Sequence, residues 1–206
     1  MKTIVASLCF TFASYELAQA QFPEITDYSL HAGVAFPVGP PAFYDYWKPG
    51  FAVGGALGFP LMRSWSIQAG IEYAGFSLDA DRFLKGIKRD PKDNSITGGN
   101  SSFLVFSGSM RFLPVQEQPL PLFFCGGVHV LYSSVAQSRA NFSGFEVIQN
   151  RESFTSAGIF FGGGVEFSTK SSMNVFFEAR YMFALLRNQR ANTNASFLRT
   201  GVRVGL

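Results

Sequence analysis

Cysteine, histidine and charge are all scarce in this 206-residue chain. It has 2 Cys and 2 His, and Asp, Glu, Lys and Arg together make up 15% of it. Cys9 lies in the apolar N-terminal stretch, so Cys125 is the only cysteine left once that stretch is set aside. A single thiol excludes an intramolecular disulfide framework and a zinc site built from cysteines. The net charge of +3, with Lys and Arg scattered along the chain, gives no basis for nucleic-acid binding. Beyond the N-terminus there is no apolar run of the roughly 18 residues that a membrane-spanning helix requires.

Apolar and small residues are plentiful. Aromatics reach 16%, led by 24 Phe, beside 21 Gly. An aromatic content that exceeds the charged content is unusual for a soluble globule. Residues 1–20 read as an export signal. Lys2 is the positive start, Thr3 to Ala13 the apolar core, and Ala18-Gln19-Ala20 the small-residue cleavage site. The mature chain is then expected to begin at Gln21 and to run to Leu206 as one domain.

Eight segments alternate in two-residue steps between large apolar and small or polar side chains, the mark of strands with two different faces. They are centred on Tyr28 to Phe36, Phe51 to Leu61, Trp65 to Ala74, Leu104 to Phe112, Leu122 to Tyr132, Gly158 to Phe167, Val175 to Phe183 and Leu198 to Leu206. Each approximates the 9–11 residues of a tilted membrane strand. The connections alternate too. Long ones run Pro37 to Gly50, Leu78 to Asn100, Ser133 to Ser153 and Leu185 to Ser196; short ones centre on Met62, Gln116 and Ser171. Pro60, Pro114, Pro119 and Pro121 are placed in turns, where a missing N–H costs no ladder bond. The pattern predicts an all-β fold, an eight-stranded antiparallel up-and-down transmembrane β-barrel, with both termini on the short-turn side.

Alternation alone does not orient the faces. The polar face carries Glu72, Arg111, Glu166, Glu178, Arg180, Arg199 and Arg203 among Gly, Ala and Ser, a composition that suits the narrow interior of an eight-stranded barrel. The charges are expected to pair there: Glu178 neighbours Arg203, and Arg180 and Arg199 form the next layer, with Glu72 reaching from the opposite wall. Trp65, Tyr28, Tyr73, Tyr132 and Tyr181 lie on the apolar face near strand ends, as in the aromatic girdles of membrane barrels. No segment reads as a helix that would cap one end, as in a soluble calyx.

On the export signal, the eight amphipathic strands, the loop alternation and a last strand with Leu198, Val202, Val204 and Leu206 on one face, the sequence resembles the small outer-membrane β-barrels of the OmpA/OmpX type, the outer membrane protein beta-barrel domain family. That family usually ends in Phe or Trp at the place of Leu206. The resemblance implies a Gram-negative outer-membrane protein with periplasmic termini, surrounded by lipid and lipopolysaccharide and inserted by the barrel-assembly machinery. It also implies a non-enzymatic structural or surface-interaction role, in adhesion or envelope integrity, through four long extracellular loops that meet an external ligand. A narrow pore for small solutes, a lipid-modifying barrel enzyme and a soluble ligand-binding barrel are the other readings.

Sites with chemistry of their own are few. His129 and Ser133 are the residue types of a hydrolase pair, but four residues along a strand separates them by about 13 Å, beyond a nucleophile–base hydrogen bond. Asp79, Asp81, Asp90 and Asp93 lack the spacing of a calcium loop and stand beside Arg82, Lys85, Lys88, Arg89 and Lys92. Gly162-Gly163-Gly164 lies within a strand, not between strand and helix, so it is no phosphate cradle. No catalytic residue, metal ligand or cofactor site is assigned. Phe43, Tyr44, Tyr46, Trp47, Phe142 and Phe145 place exposed aromatics in the long loops, and Arg187 and Arg190 add positive charge suited to lipopolysaccharide phosphates.

Overall fold

The structure is a computed structural model and describes residues 27–62, 64–114, 121–142, 144–169, 172–185 and 193–205. The expected export signal, Gln21, Gln116, Ser171, Arg187, Arg190 and Leu206 lie outside the described residues.

Eight strands close into one barrel: β1 (Asp27–Gly39), β2 (Gly50–Met62), β3 (Trp65–Phe76), β5 (Ser101–Phe112), β6 (Leu122–Val135), β9 (Glu152–Ser168), β10 (Met173–Ala184) and β11 (Asn194–Gly205). Each pairs antiparallel with its barrel neighbours in the chain, and β11 returns to β1 with Tyr28 opposite Val204 and Val34 opposite Leu198. Closure leaves no free edge in the wall, which removes the open row of backbone donors and acceptors that an edge strand presents. Pro60, expected in a turn, instead lies near the end of β2 at a register shift between Pro60 and Met62, and Pro37 marks a second shift in β1. Each proline is the last paired residue before the skipped one, where the ladder is already locally disrupted and its missing N–H is tolerated.

The two faces are sorted as the alternation requires. Val128 is 62% exposed and Phe161 60%, and Leu30, Phe177 and Leu198 join them on the outer wall. The inner face holds all seven of the charged residues named above. A soluble barrel hides its apolar side chains and exposes its charges, and this one does the reverse.

Between these charges the interior is less small and polar than the sequence suggests. Phe103, Phe123, Phe160, Phe176, Phe197 and Leu131 are buried inside the wall. Glycine makes room for them: a Cβ on Gly201 would lie 2.3 Å from the Leu30 carbonyl oxygen and 2.7 Å from the Phe176 ring.

The long connections carry structure of their own. A six-residue helix, α1 (Pro41–Tyr46), follows β1. It corrects the expectation of no capping helix: Phe43 drops from it into the long-loop end of the barrel and packs on Phe76 and Phe103 at ring-centroid distances of 5.1 and 5.5 Å. A second helix, α2 (Ala80–Gly86), is capped by Asp79, whose side chain accepts from the Arg82 N–H. Asp90 accepts from the Lys92 N–H, so two of the four loop aspartates have local structural duties. Beyond the rim, β4 (Ser95–Gly98), β7 (Ser138–Phe142) and β8 (Phe145–Gln149) form a separate three-stranded sheet.

Candidate functional site: the charged interior of the barrel

The inward charges fall into two tiers. Glu178 on β10 stands directly opposite Arg199 on β11 in the strand register. Arg199 Nη2 donates to Glu178 Oε1 at 2.8 Å, and Arg180 Nε, two residues along β10, donates to the same oxygen at 2.9 Å. The other arm of Arg199 crosses the lumen, Nη1 donating to Glu72 Oε2 on β3 at 2.6 Å. His31 Nε2 sits between them, 2.8 Å from Glu72 Oε2 and 2.9 Å from Arg199 Nη1. The Arg180 guanidinium also lies 4.1 Å over the Phe160 ring, a cation–π contact in a desolvated setting.

Nearer the short-turn end, Arg111 Nη2 donates to Glu166 Oε2, and Asn174 Nδ2 donates to the other oxygen of that carboxylate at 2.8 Å. Arg203 reaches Glu166 at 3.8 Å and Asp27 at 3.6 Å. Arg111 is 2% exposed and its guanidinium lies 3.8 Å over Phe123. The expected Glu178–Arg203 pair is therefore corrected: Arg203 lies opposite Asn174 and belongs to the lower tier, while Glu178 binds Arg199 and Arg180.

Among the described residues, four arginines and four carboxylates thus share the interior, and their charges balance. Balance is required, because each ion removed from water costs several kcal/mol unless partners return it. Sequence reasoning placed His31 on the inner face without assigning it a partner, and it missed Asp27, Asn174 and the stacked Phe123 and Phe160. Inward parity was the signal available for His31 and Phe123. Gly162 faces the same space, where a Cβ would come within 3.2 Å of Cys125 Sγ. Cys125 itself donates to Glu178 Oε1 at 3.4 Å. Within the network remains a cavity of about 20 Å³ bordered by Ser29, Gln68 and Ser109, room for about one water molecule.

His129 and Ser133 both face inward and do not meet. Ser133 Oγ donates to the Phe154 carbonyl at 3.4 Å, and neither His129 nitrogen has a hydrogen-bond partner among the described residues. Among the described residues, no cluster of three His, Cys, Asp or Glu side chains comes together as a metal site.

These features define an inside-out β-barrel: apolar outside, charge-paired inside, elaborated at one end. No protein-family model and no curated protein matches the sequence. Solved structures do. A major outer membrane protein from Thermus thermophilus is 10% identical with a TM-score of 0.55, over 89% of this chain and 100% of that one. Neisserial surface protein A is 13% identical with a TM-score of 0.49, over 87% and 97%, and the attachment invasion locus protein of Yersinia pestis is 9% identical with a TM-score of 0.43, over 89% and 100%. The chain has the fold of the small bacterial outer-membrane barrels.

Proposed function

We propose that this protein is a non-enzymatic integral barrel of the bacterial outer membrane, with both termini periplasmic, whose loops serve envelope integrity or surface interaction. The observation that carries this reading is the exposed apolar outer wall, with Val128 and Phe161 more than half exposed, around a closed, charge-paired interior. In water such a surface would exceed the few hundred Å² of contiguous apolar area that a soluble monomer tolerates. In lipid it is what a spanning strand requires. Trp65 and Tyr28 at the short-turn end and Tyr73 and Tyr132 at the other are each about 40% exposed, and such rings suit the two membrane interfaces.

The loop end supports the surface role. A cleft of about 560 Å³ opens between α2 and the β4-β7-β8 sheet, lined by Trp47, Phe83, Ile87, Phe142 and Val147. Arg89 lies 5.6 Å over the Phe142 ring at this cleft. Aromatic and arginine side chains are the usual anchors of recognition surfaces. Insertion would proceed through the barrel-assembly machinery, and lipid and lipopolysaccharide would surround the wall.

Cell fractionation followed by gel electrophoresis of unheated and boiled samples tests the reading. The mature protein is expected in outer membranes and to migrate differently when boiled. Recovery as a soluble periplasmic protein overturns the proposal.

A further inference from the structure

On the outer wall, at the long-loop rim, the apolar face gives way to hydroxyls. Ser102, Ser134 and Ser153 stand side by side on β5, β6 and β9, with Gly75 of β3 beside Ser102. By strand alternation they share the outward face of Tyr73 and Tyr132, one pair of residues further from the short turns. Arg151 bends over this row, and its Nε donates to Ser134 Oγ at 2.9 Å, leaving that serine 4% exposed. A cavity of about 920 Å³ opens at this place, bordered by Arg151, Ser134, Ser102, Asn100, Gln137 and Tyr73.

Arg151 differs from the interior arginines and from Arg82 and Arg139; Arg89, the other described arginine with no carboxylate within 4.0 Å, lies over the Phe142 ring instead. Those of the interior each have a carboxylate partner, and Arg82 and Arg139 in the loops are also paired. Among the described residues, no carboxylate lies within 4.0 Å of Arg151, whose hydrogen bond to Ser134 employs Nε and leaves the terminal nitrogens for another acceptor. A guanidinium fixed at its inner nitrogen presents a planar fork suited to a phosphate. Small hydroxyls beside it supply neutral donors, and the Tyr73 ring below offers an apolar support at the depth where acyl chains begin.

We propose that this rim cavity binds the phosphate of a membrane lipid headgroup, with Arg151 as the charged contact, Ser102 and Ser134 as its polar floor and the acyl chains lying down the apolar wall past Tyr73. The inference rests on the reading that the wall is embedded in lipid. Unlike the attraction of scattered loop charges for an anionic surface, it names one stoichiometric site at one position around the barrel.

The test is native mass spectrometry of the full mature chain released from nanodiscs of phosphatidylcholine mixed with phosphatidic acid of the same acyl chains. The wild type is expected to retain phosphatidic acid in preference to phosphatidylcholine. Arg151→Gln should lower that retention by about tenfold, the loss of one charge-assisted contact. Lys92→Gln, which removes the same charge from an exposed loop position, should not. Retention unchanged in Arg151→Gln, or reduced equally in Lys92→Gln, overturns the site. Displacement of the lipid by excess inorganic phosphate overturns the lipid as the source and assigns a free anion. A barrel that inserts, judged by heat-modifiable migration, yet shows no preference refutes this inference alone; one that fails to insert refutes the proposed function.

Discussion

Glu178 and Arg199 face each other across the β10–β11 ladder and meet at 2.8 Å inside the barrel, and Arg180 binds the same carboxylate oxygen. Removing Glu178 therefore strands Arg180 and leaves Arg199 with Glu72 as its single carboxylate. Glu178→Ala is expected to destabilise the folded barrel by about 3 to 5 kcal/mol, the cost of breaking a buried pair. Denaturant titration in lipid vesicles measures it, and an unchanged midpoint would show that the carboxylate is not holding the arginines.

The same network obstructs the lumen. Arg199 spans from Glu178 to Glu72, and the cavity left beside it holds about one water molecule. Purified wild-type protein in planar bilayers is expected to show no steady channel, and Glu178→Ala an increased leak. A large, stable conductance of the wild type would instead favour a pore.

Arg111 combines an ion pair to Glu166 with stacking on Phe123. Arg111→Lys keeps the charge and loses the planar fork and the stack, and lysine does not substitute for arginine at such a site. The expected loss is about 1 to 2 kcal/mol, read by the same titration. A fully stable lysine variant would reduce the role of Arg111 to its charge.

β11 closes the wall by pairing with both β1 and β10. Deleting residues 200–206 removes Thr200 to Val204 from both ladders, opening two edges whose backbone groups lipid cannot satisfy. No heat-modifiable species is expected after the deletion. Normal levels of such a species would contradict the closure.

The fold was legible because a strand with one face in lipid and one in a packed lumen must alternate, and the eight alternating segments became the eight barrel strands. Which interior residues meet was less legible. Counting from Leu206 placed Arg203 beside Glu178, whereas the ladder sets Arg203 against Asn174 and Arg199 against Glu178. Pairing register is set by turn geometry, which alternation does not report. Phe103, Phe160 and Phe197 escaped notice because phenylalanine serves both faces here, and only position distinguishes filling a lumen from meeting lipid. Helix α1 was hidden for another reason: six residues form no stable helix alone, and its hold on the barrel is the tertiary contact of Phe43 with Phe76 and Phe103.

Two exposed side chains separate lipid from water as the surroundings of the wall. Val128 in mid-strand β6 is 62% exposed, and Tyr44 on α1 beyond the rim is 60% exposed. If the wall faces lipid, Val128→Arg should cost about 2 to 4 kcal/mol of folding free energy in lipid vesicles, whereas Tyr44→Arg, on a solvated surface, should change it by less than about 0.5 kcal/mol. Equal, small effects of the two substitutions would mean that Val128 faces water, and the membrane-embedded barrel would be contradicted.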